Sequence, residues 1–270
     1  MSRARPKRQW ALPLYVAAIL LYLLLPLVIV IPMSFSNTSY LAFPPQGLTW
    51  RWYGELLRSD GWMNAIYRSL FVAAMSAVVA TILGTLASLA LARSKRGWTV
   101  FMRWLFLGPQ VVPVIILALG VLLLFTRLGL YGSYTGIIIA HSTLALPFVI
   151  MATLGVLQQT GESLEKTARV LGASPVQAFW HVTLPCIAPS VFAGFVFAFF
   201  VSFDELVISL FVMAQNETLP MRIWADVRQD LSPVVAVVAT LLIIVTALVL
   251  VPIELLRRRR AQETDLSKAH

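Results

Sequence analysis

Charge is what this chain has least of. Asp, Glu, Lys and Arg make up 12% of its 270 residues, about half the share of a soluble domain. With 59% of residues hydrophobic and a mean hydropathy of +0.82, too little polar material remains to coat a globule in water. The composition is that of an integral membrane protein. Cysteine is rarer still: one cannot close an internal disulfide, and with three histidines it is too few for a zinc framework. There is no G-x-x-x-x-G-K-[ST], nor any Gly-Lys pair, so the chain lacks the loop that cradles nucleotide phosphates. It also has no G-x-S-x-G and no H-E-x-x-H, which leaves no signature of a hydrolase nucleophile or a zinc protease.

Long apolar runs are what it has. A hydrocarbon core about 30 Å thick takes roughly 20 apolar residues per helix. Residues 12–33, 70–92, 104–126 and 234–253 carry no charge, 134–157 carries only His141, and 187–214 is apolar except for Asp204 and Glu205. The expectation is an all-α integral membrane protein with six transmembrane helices, forming a single permease-type domain over 1–270 with its core at about 65–256. Although Arg3, Arg5, Lys7 and Arg8 precede the first run, it is longer than a signal-peptide core and lacks a small-residue cleavage site. It reads as a retained helix.

Orientation follows from the basic residues, which collect on cytoplasmic loops. With the N-terminus inside, fifteen of the 21 Lys and Arg fall on inner segments and six on outer ones. Both termini are therefore expected in the cytoplasm: a tail at 1–11 and a basic tail at 257–270, with an outer segment at 34–69 and an inner loop at 158–188. A net charge of +9 would suggest nucleic acid in a soluble protein. Here the positive residues are dispersed as short stop signals beside helices, which fits an anionic lipid surface and no nucleic acid.

The outer segment contains Trp50, Trp52 and Tyr53, interleaved with Arg51 and Glu55. That pattern suits a short interfacial helix, serving either as a membrane anchor or as a docking surface for an external partner.

The inner loop is about thirty residues long and looks built. Glu162 and Glu165 stand where a helix N-terminus favours acids, Leu164, Ala168 and Leu171 recur at helical spacing, and Gly172 follows where a left-handed residue would end the helix. Ser174 can then cap a second helix, with Pro175 at its first position and Gln177 closing a capping box. Leu184-Pro185 is expected to end it. The result is two short helices with a sharp bend on the inner membrane surface, either an interfacial anchor or a lever that fits a groove on a soluble protein.

These same residues carry a resemblance. Leu164-Glu165-Lys166-Thr167-Ala168, Gly172-Ala173-Ser174-Pro175 and Val182-Thr183-Leu184-Pro185 resemble the EAA loop of ABC importer permeases, E-A-A, three residues, G, nine residues, I, any residue, L-P. Lys166-Thr167-Ala168 stands in place of E-A-A, and Val182 in place of Ile. From about Trp50 to Pro252 the chain resembles binding-protein-dependent permeases of the MetI-like superfamily, and among them the spermidine/putrescine type. The further motifs are Trp52-Tyr53-Gly54-Glu55-Leu56-Leu57, Ser202-Phe203-Asp204-Glu205-Leu206-Val207-Ile208 and Thr218-Leu219-Pro220-Met221-Arg222-Ile223. Permeases for ferric iron, thiamine, opines and phosphonates look similar.

The resemblance implies a non-catalytic subunit of a bacterial inner-membrane importer. Its partners would be a second permease, homologous and not identical, two ATPase subunits and a periplasmic solute-binding protein. No cofactor would bind this chain, since ATP and Mg would sit on the ATPases. Glu165, Ala168, Gly172, Ser174, Pro175, Leu184 and Pro185 would then form the contact through which ATPase closure moves the membrane helices. Trp50, Trp52 and Tyr53 would face the binding protein.

Asp204 and Glu205 are expected about sixteen residues past Pro189, roughly 24 Å along a helix, toward the outside. A carboxylate at that depth should face other helices or a water-filled path. Adjacent helical positions diverge by about 100°, so one acid is expected on the pathway and the other in a structural role. Asp204 could attract a cation or close a gate with Arg127 or Arg222, or either acid could bond to a local group such as Ser202. His141 is read first as a helix-to-helix hydrogen-bonding residue, with a place on the pathway as the alternative. Pro109, Pro113 and Pro147 are places where helices could kink. A competing reading is a carrier driven by protons or sodium, which would need matched inverted halves that the sequence does not display.

Overall fold

The computed structural model describes residues 11–94, 97–229 and 231–248. The expected cytoplasmic tails, apart from Ala11, lie outside the described residues. Every named element is a helix: α1 (Ala11–Met33), α2 (Arg51–Arg58), α3 (Asp60–Arg93), α4 (Trp98–Val111), α5 (Val114–Leu128) and α6 (Tyr134–Val156). After a π-helical turn at Leu157–Gly161 come α7 (Glu162–Val170) and α8 (Pro175–Ala178), then a second π turn at Phe179–Thr183. The chain continues through α9 (Leu184–Phe203), α10 (Val207–Val212), α11 (Leu219–Gln229) and α12 (Pro233–Leu248).

Four helices among the described residues are long and apolar enough to cross a bilayer: Leu12–Met33, Asp60–Arg93, Tyr134–Gln159 and Pro175–Phe203. The run expected at 104–126 is not one helix. It is split into α4 and α5, bent by 102°, and makes a fifth crossing only if the pair counts as one span. The cause is local. Val112 precedes Pro113, whose ring disfavours helical backbone at the residue before it, and both adopt extended ψ, 132° and 127°. The run expected at 187–214 is also interrupted, because α9 stops at Phe203 and α10 starts at Val207. The last expected run appears as the shorter α12, and its continuation to 253 lies outside the described residues.

Contacts divide the chain into two units, Met1–Met63 with Ile223–His270, and Asn64–Arg222. In the first, α1 is apolar all round and exposed, as a helix meant for lipid would be. In the second, α3, α6 and α9 pack through small residues, with Ala77, Ala80, Ala145 and Ala198 fully buried. Val149 of α6 sits between two glycines: a Cβ on Gly84 would lie 2.8 Å from its side chain, and one on Gly194 would lie 3.1 Å from its Cα. Lipid tails are as apolar as the helices, so close backbone approach is what holds membrane helices together. A second cluster gathers Val72, Ala118, Phe125, Ile137, Ala140, Ile208 and Val212 around α5, α6 and α10.

Candidate functional site

The second unit carries two polar constructions at the ends of its long helices. The first is an elbow. Helix α7 ends in a Schellman motif: Gly172 takes φ +97°, the Ala173 N–H donates to Ala168 O at 3.0 Å, and the Gly172 N–H donates to Arg169 O at 3.1 Å. Two residues on, the Ser174 Oγ accepts from the Gln177 N–H at 3.3 Å while the Gln177 Oε1 accepts from the Ser174 N–H at 2.9 Å, with Pro175 at the first helical position. The capping box and the glycine stop are where the sequence places them. The chain turns sharply here and bares the two apolar residues just before Gly172, Val170 and Leu171, 87% and 83% exposed. Val176 and Trp180 are exposed beside them, and Ala168 is half-buried.

The second arm of the elbow differs from expectation. Leu184-Pro185 does not end a short surface helix; α8, the π turn and α9 form one helix from Pro175 to Phe203. The Leu184 N–H reaches back five residues to Phe179 O. Pro185, with no N–H to give, falls in the first turn of α9, where the ladder returns to α spacing and a missing donor is tolerated. The elbow is thus continuous with the membrane helices on both sides and flanked by a π turn at each end.

Glu165 faces inward and does not line the apex. Its Oε2 lies 2.9 Å from the Arg93 guanidinium, at the last turn of α3, and accepts from the Thr183 hydroxyl at 3.2 Å. Neither partner could be read from the sequence, because both are remote along the chain.

The second construction is the break between α9 and α10. Asp204 and Glu205 are not on a continuous helix but in this break. The Asp204 N–H closes α9 onto Phe200 O at 3.0 Å, and the Glu205 Oε1 accepts from the Ile208 N–H at 2.9 Å, capping α10. That carboxylate replaces the ladder bond lost at the break, which is why the chain can stop and restart a helix there. Asp204 is exposed and no described residue pairs with its carboxylate; Arg222 pairs instead with Glu217 at 3.3 Å.

His141 of α6 is buried against this break. Its Nδ1 lies 2.8 Å from the Ser202 Oγ and its Nε2 3.2 Å from the Ser209 Oγ. Next to it, the Ser142 hydroxyl donates to Ser76 O of α3 at 3.2 Å. The serines on either side of the two acids were the available signal, but only the fold shows that one histidine meets both.

In the first unit, Trp50 and Tyr53 of the outer segment are in ring contact at 5.1 Å and both pack on Phe35, while Trp52 is buried. Trp52 is 5% exposed and its Nε1–H donates to Ser36 O at 2.8 Å, while the Tyr53 hydroxyl meets the Ser34 Oγ at 2.8 Å. Trp50 is 70% exposed and packs its ring edge-on to Phe35 at 4.7 Å. Helix α2 forms as the sequence suggests, with Arg51 over the Trp52 ring at 4.8 Å.

Residues 80–262 match the family described as "Binding-protein-dependent transport system inner membrane component". The chain is 32% identical to the spermidine/putrescine transport system permease protein PotC of Escherichia coli K12, over 92% of this chain and 94% of PotC. It is 36% identical to the putrescine transport system permease protein PotI of the same organism, over 82% of each. Among solved structures, it is similar to a bacterial ABC transporter involved in the import of the acidic polysaccharide alginate, with a TM-score of 0.71 at 16% identity over 94% of this chain and 98% of that one. A bacterial alginate ABC transporter in complex with alginate pentasaccharide-bound periplasmic protein gives 0.67 at 18% identity over 90% and 92%. At those identities the likeness concerns the fold.

Proposed function

Because the chain belongs to the family of binding-protein-dependent transport system inner membrane components, and so is an ABC importer permease of the bacterial inner membrane, we propose that it forms the pathway for a polyamine such as spermidine or putrescine. In this reading six helices cross the membrane with both termini in the cytoplasm. A periplasmic protein delivers the solute, a second homologous permease completes the pathway, and two ATPase subunits bind and hydrolyse ATP with Mg.

The observation that carries the reading is the elbow. A sharply bent pair of helices, fixed by a Schellman motif and a capping box, presents Val170 and Leu171 almost fully exposed among the described residues. An apolar knob on a rigid support is suited to a groove on a soluble subunit. Continuity with α6 and α9 gives any movement of the knob a direct route into the membrane. Asp204 supports the choice of a cationic solute, because an exposed carboxylate at a helix break would favour an ammonium group. The kinship with PotC and PotI supports the same choice.

Reconstitution tests the proposal. The chain should purify with ATPase subunits and, with its binding protein, load vesicles with labelled putrescine only when ATP is present. Isolation of the chain alone, with uptake that ignores nucleotide and collapses with an ion gradient, would make it a secondary carrier. ATP-dependent uptake of a different solute, such as ferric iron, thiamine, an opine or a phosphonate, would keep the mechanism and replace the substrate.

A further inference from the structure

We infer that His141 is a positioning residue that pins the two sides of the α9–α10 break and so fixes where Asp204 stands. The inference rests on the reading of Asp204 as the pathway carboxylate, and it concerns a residue that need not touch solute at all.

Proton bookkeeping gives the network one direction. The Ser209 Oγ lies 2.8 Å from Glu205 O, and a carbonyl can only accept, so the hydroxyl proton of Ser209 goes there. Ser209 must then accept from His141, which places the ring proton on Nε2. Nδ1 is left as an acceptor, and the Ser202 hydroxyl donates to it. The chain of bonds runs from Ser202 at the end of α9, through the ring, to Ser209 in α10 and back to the backbone of Glu205. Both ring nitrogens are spent on the segment across the break and neither on α6 itself.

A histidine that merely filled the core would need satisfied nitrogens, but not two partners that bracket the same three-residue interruption. The far end of α10 is tied to the turn that precedes α6. The Gly132 N–H, in the turn before α6, donates to Val212 O at 2.8 Å, and the Asn216 amide reaches Gly132 O at 3.4 Å. The segment that holds Asp204 therefore hangs from α6 and its preceding turn at both ends. Helix α6 runs on from His141 to the π turn at Leu157–Gly161, roughly 24 Å away at the rise of an α-helix. One helix thus carries the elbow at one end and the pin at the other.

The test reads the position of residue 204 without needing a solute. In the assembled transporter, with Cys186→Ser as background, Asp204→Cys is labelled by a membrane-impermeant cationic thiol reagent, and Ser39→Cys serves as an exposed control. His141→Ala should change the labelling rate at 204 by at least about five-fold, the worth of one net hydrogen bond, and leave the rate at 39 unchanged. Asn can imitate only Nδ1 and Gln only Nε2, so His141→Asn and His141→Gln should each fall between wild type and alanine. Ser209→Ala, which hardly alters packing, covers the case in which His141→Ala does not assemble. A rate at 204 within about two-fold of wild type in Ser209→Ala and every His141 variant that assembles would overturn the inference. With Asp204 intact, His141→Ala should raise the KM for putrescine at unchanged transporter content. A wild-type transporter that moves no putrescine would remove the polyamine reading and leave the labelling result to decide His141.

Discussion

The Arg93 guanidinium and the Glu165 carboxylate meet at 2.9 Å and join the last turn of α3 to the first helix of the elbow. The arginine side chain is 52% exposed and the glutamate 19%, so the pair adds at most about 1 kcal/mol to stability. Its value is in location. Glu165→Lys sets two cations face to face and deprives the Thr183 hydroxyl of its acceptor. The expected outcome is ATP hydrolysis with little uptake, at normal amounts in the membrane. Arg93→Glu should do the same, and Arg93→Glu combined with Glu165→Arg should recover part of the uptake. Unchanged uptake in both single variants would separate the tie from coupling.

Gly172 supplies a cleaner test of the bend. Its φ of +97° is unfavourable for any residue with a Cβ, while an added Cβ would meet no atom within 4 Å. Only backbone strain is at stake, about 1–2 kcal/mol for most residues and less for Asn. Proline is worse, since its φ is fixed near −65° and it removes the N–H that donates to Arg169 O. Uptake per transporter should fall in the order Gly, Asn, Ala, Pro, with membrane insertion preserved throughout. Equal uptake for all four would mean that the bend is not used.

The elbow was legible because its rules are local. A glycine after an apolar-periodic run, and Ser-Pro-x-Gln two residues later, each specify a backbone geometry through groups within six residues. The break at Val112-Pro113 was half-legible: proline marked a kink, but the unbroken apolar run concealed that it reaches 102°. Leu184-Pro185 misled, because a π turn moved the proline into a first turn where it no longer stops a helix. The pairings of Glu165 with Arg93 and of His141 with Ser202 and Ser209 span 61 to 72 residues. No local pattern encodes such distances, and only packing brings the partners together. Trp50, Trp52 and Tyr53 look alike in sequence, yet Trp52 is buried in α2 while Trp50, just before the helix, is exposed with its ring 5.1 Å from that of Tyr53.

The contact of Gly84 with Val149 predicts a reciprocal rescue. A Cβ at 84 would lie 2.8 Å from two Val149 side-chain atoms, closer than real Cβ atoms come, so α3 and α6 would have to separate. Overpacking of this kind costs about 1–3 kcal/mol. Gly84→Ala should lower the thermal stability of the detergent-solubilised transporter, and adding Val149→Ala should restore only part of it, because it removes the Cγ1 contact and leaves the Val149 Cβ at 2.8 Å. Gly194→Ala should be rescued less well, because its nearest neighbour is the Val149 Cα, which no side-chain trimming removes. Equal rescue at the two positions would show that the helices give way as a whole.

The two acids of the break predict opposite behaviour. Glu205 works through an oxygen that accepts from the Ile208 N–H. Glutamine keeps that acceptor, so Glu205→Gln should transport nearly as wild type. Glu205→Ala uncaps α10 at a cost of about 1 kcal/mol and should lower the thermal midpoint of the transporter. Asp204 has no such bond among the described residues, and its charge is what it offers. Asp204→Asn should leave the midpoint and ATPase assembly in place and cut putrescine uptake by at least about ten-fold, the loss of roughly 1.4 kcal/mol of charge interaction. Asp204→Glu, which keeps the charge, should retain more uptake than Asp204→Asn. Wild-type kinetics in Asp204→Asn, with uptake abolished in Glu205→Gln, would exchange the roles of the two residues and place the pathway charge on the helix cap.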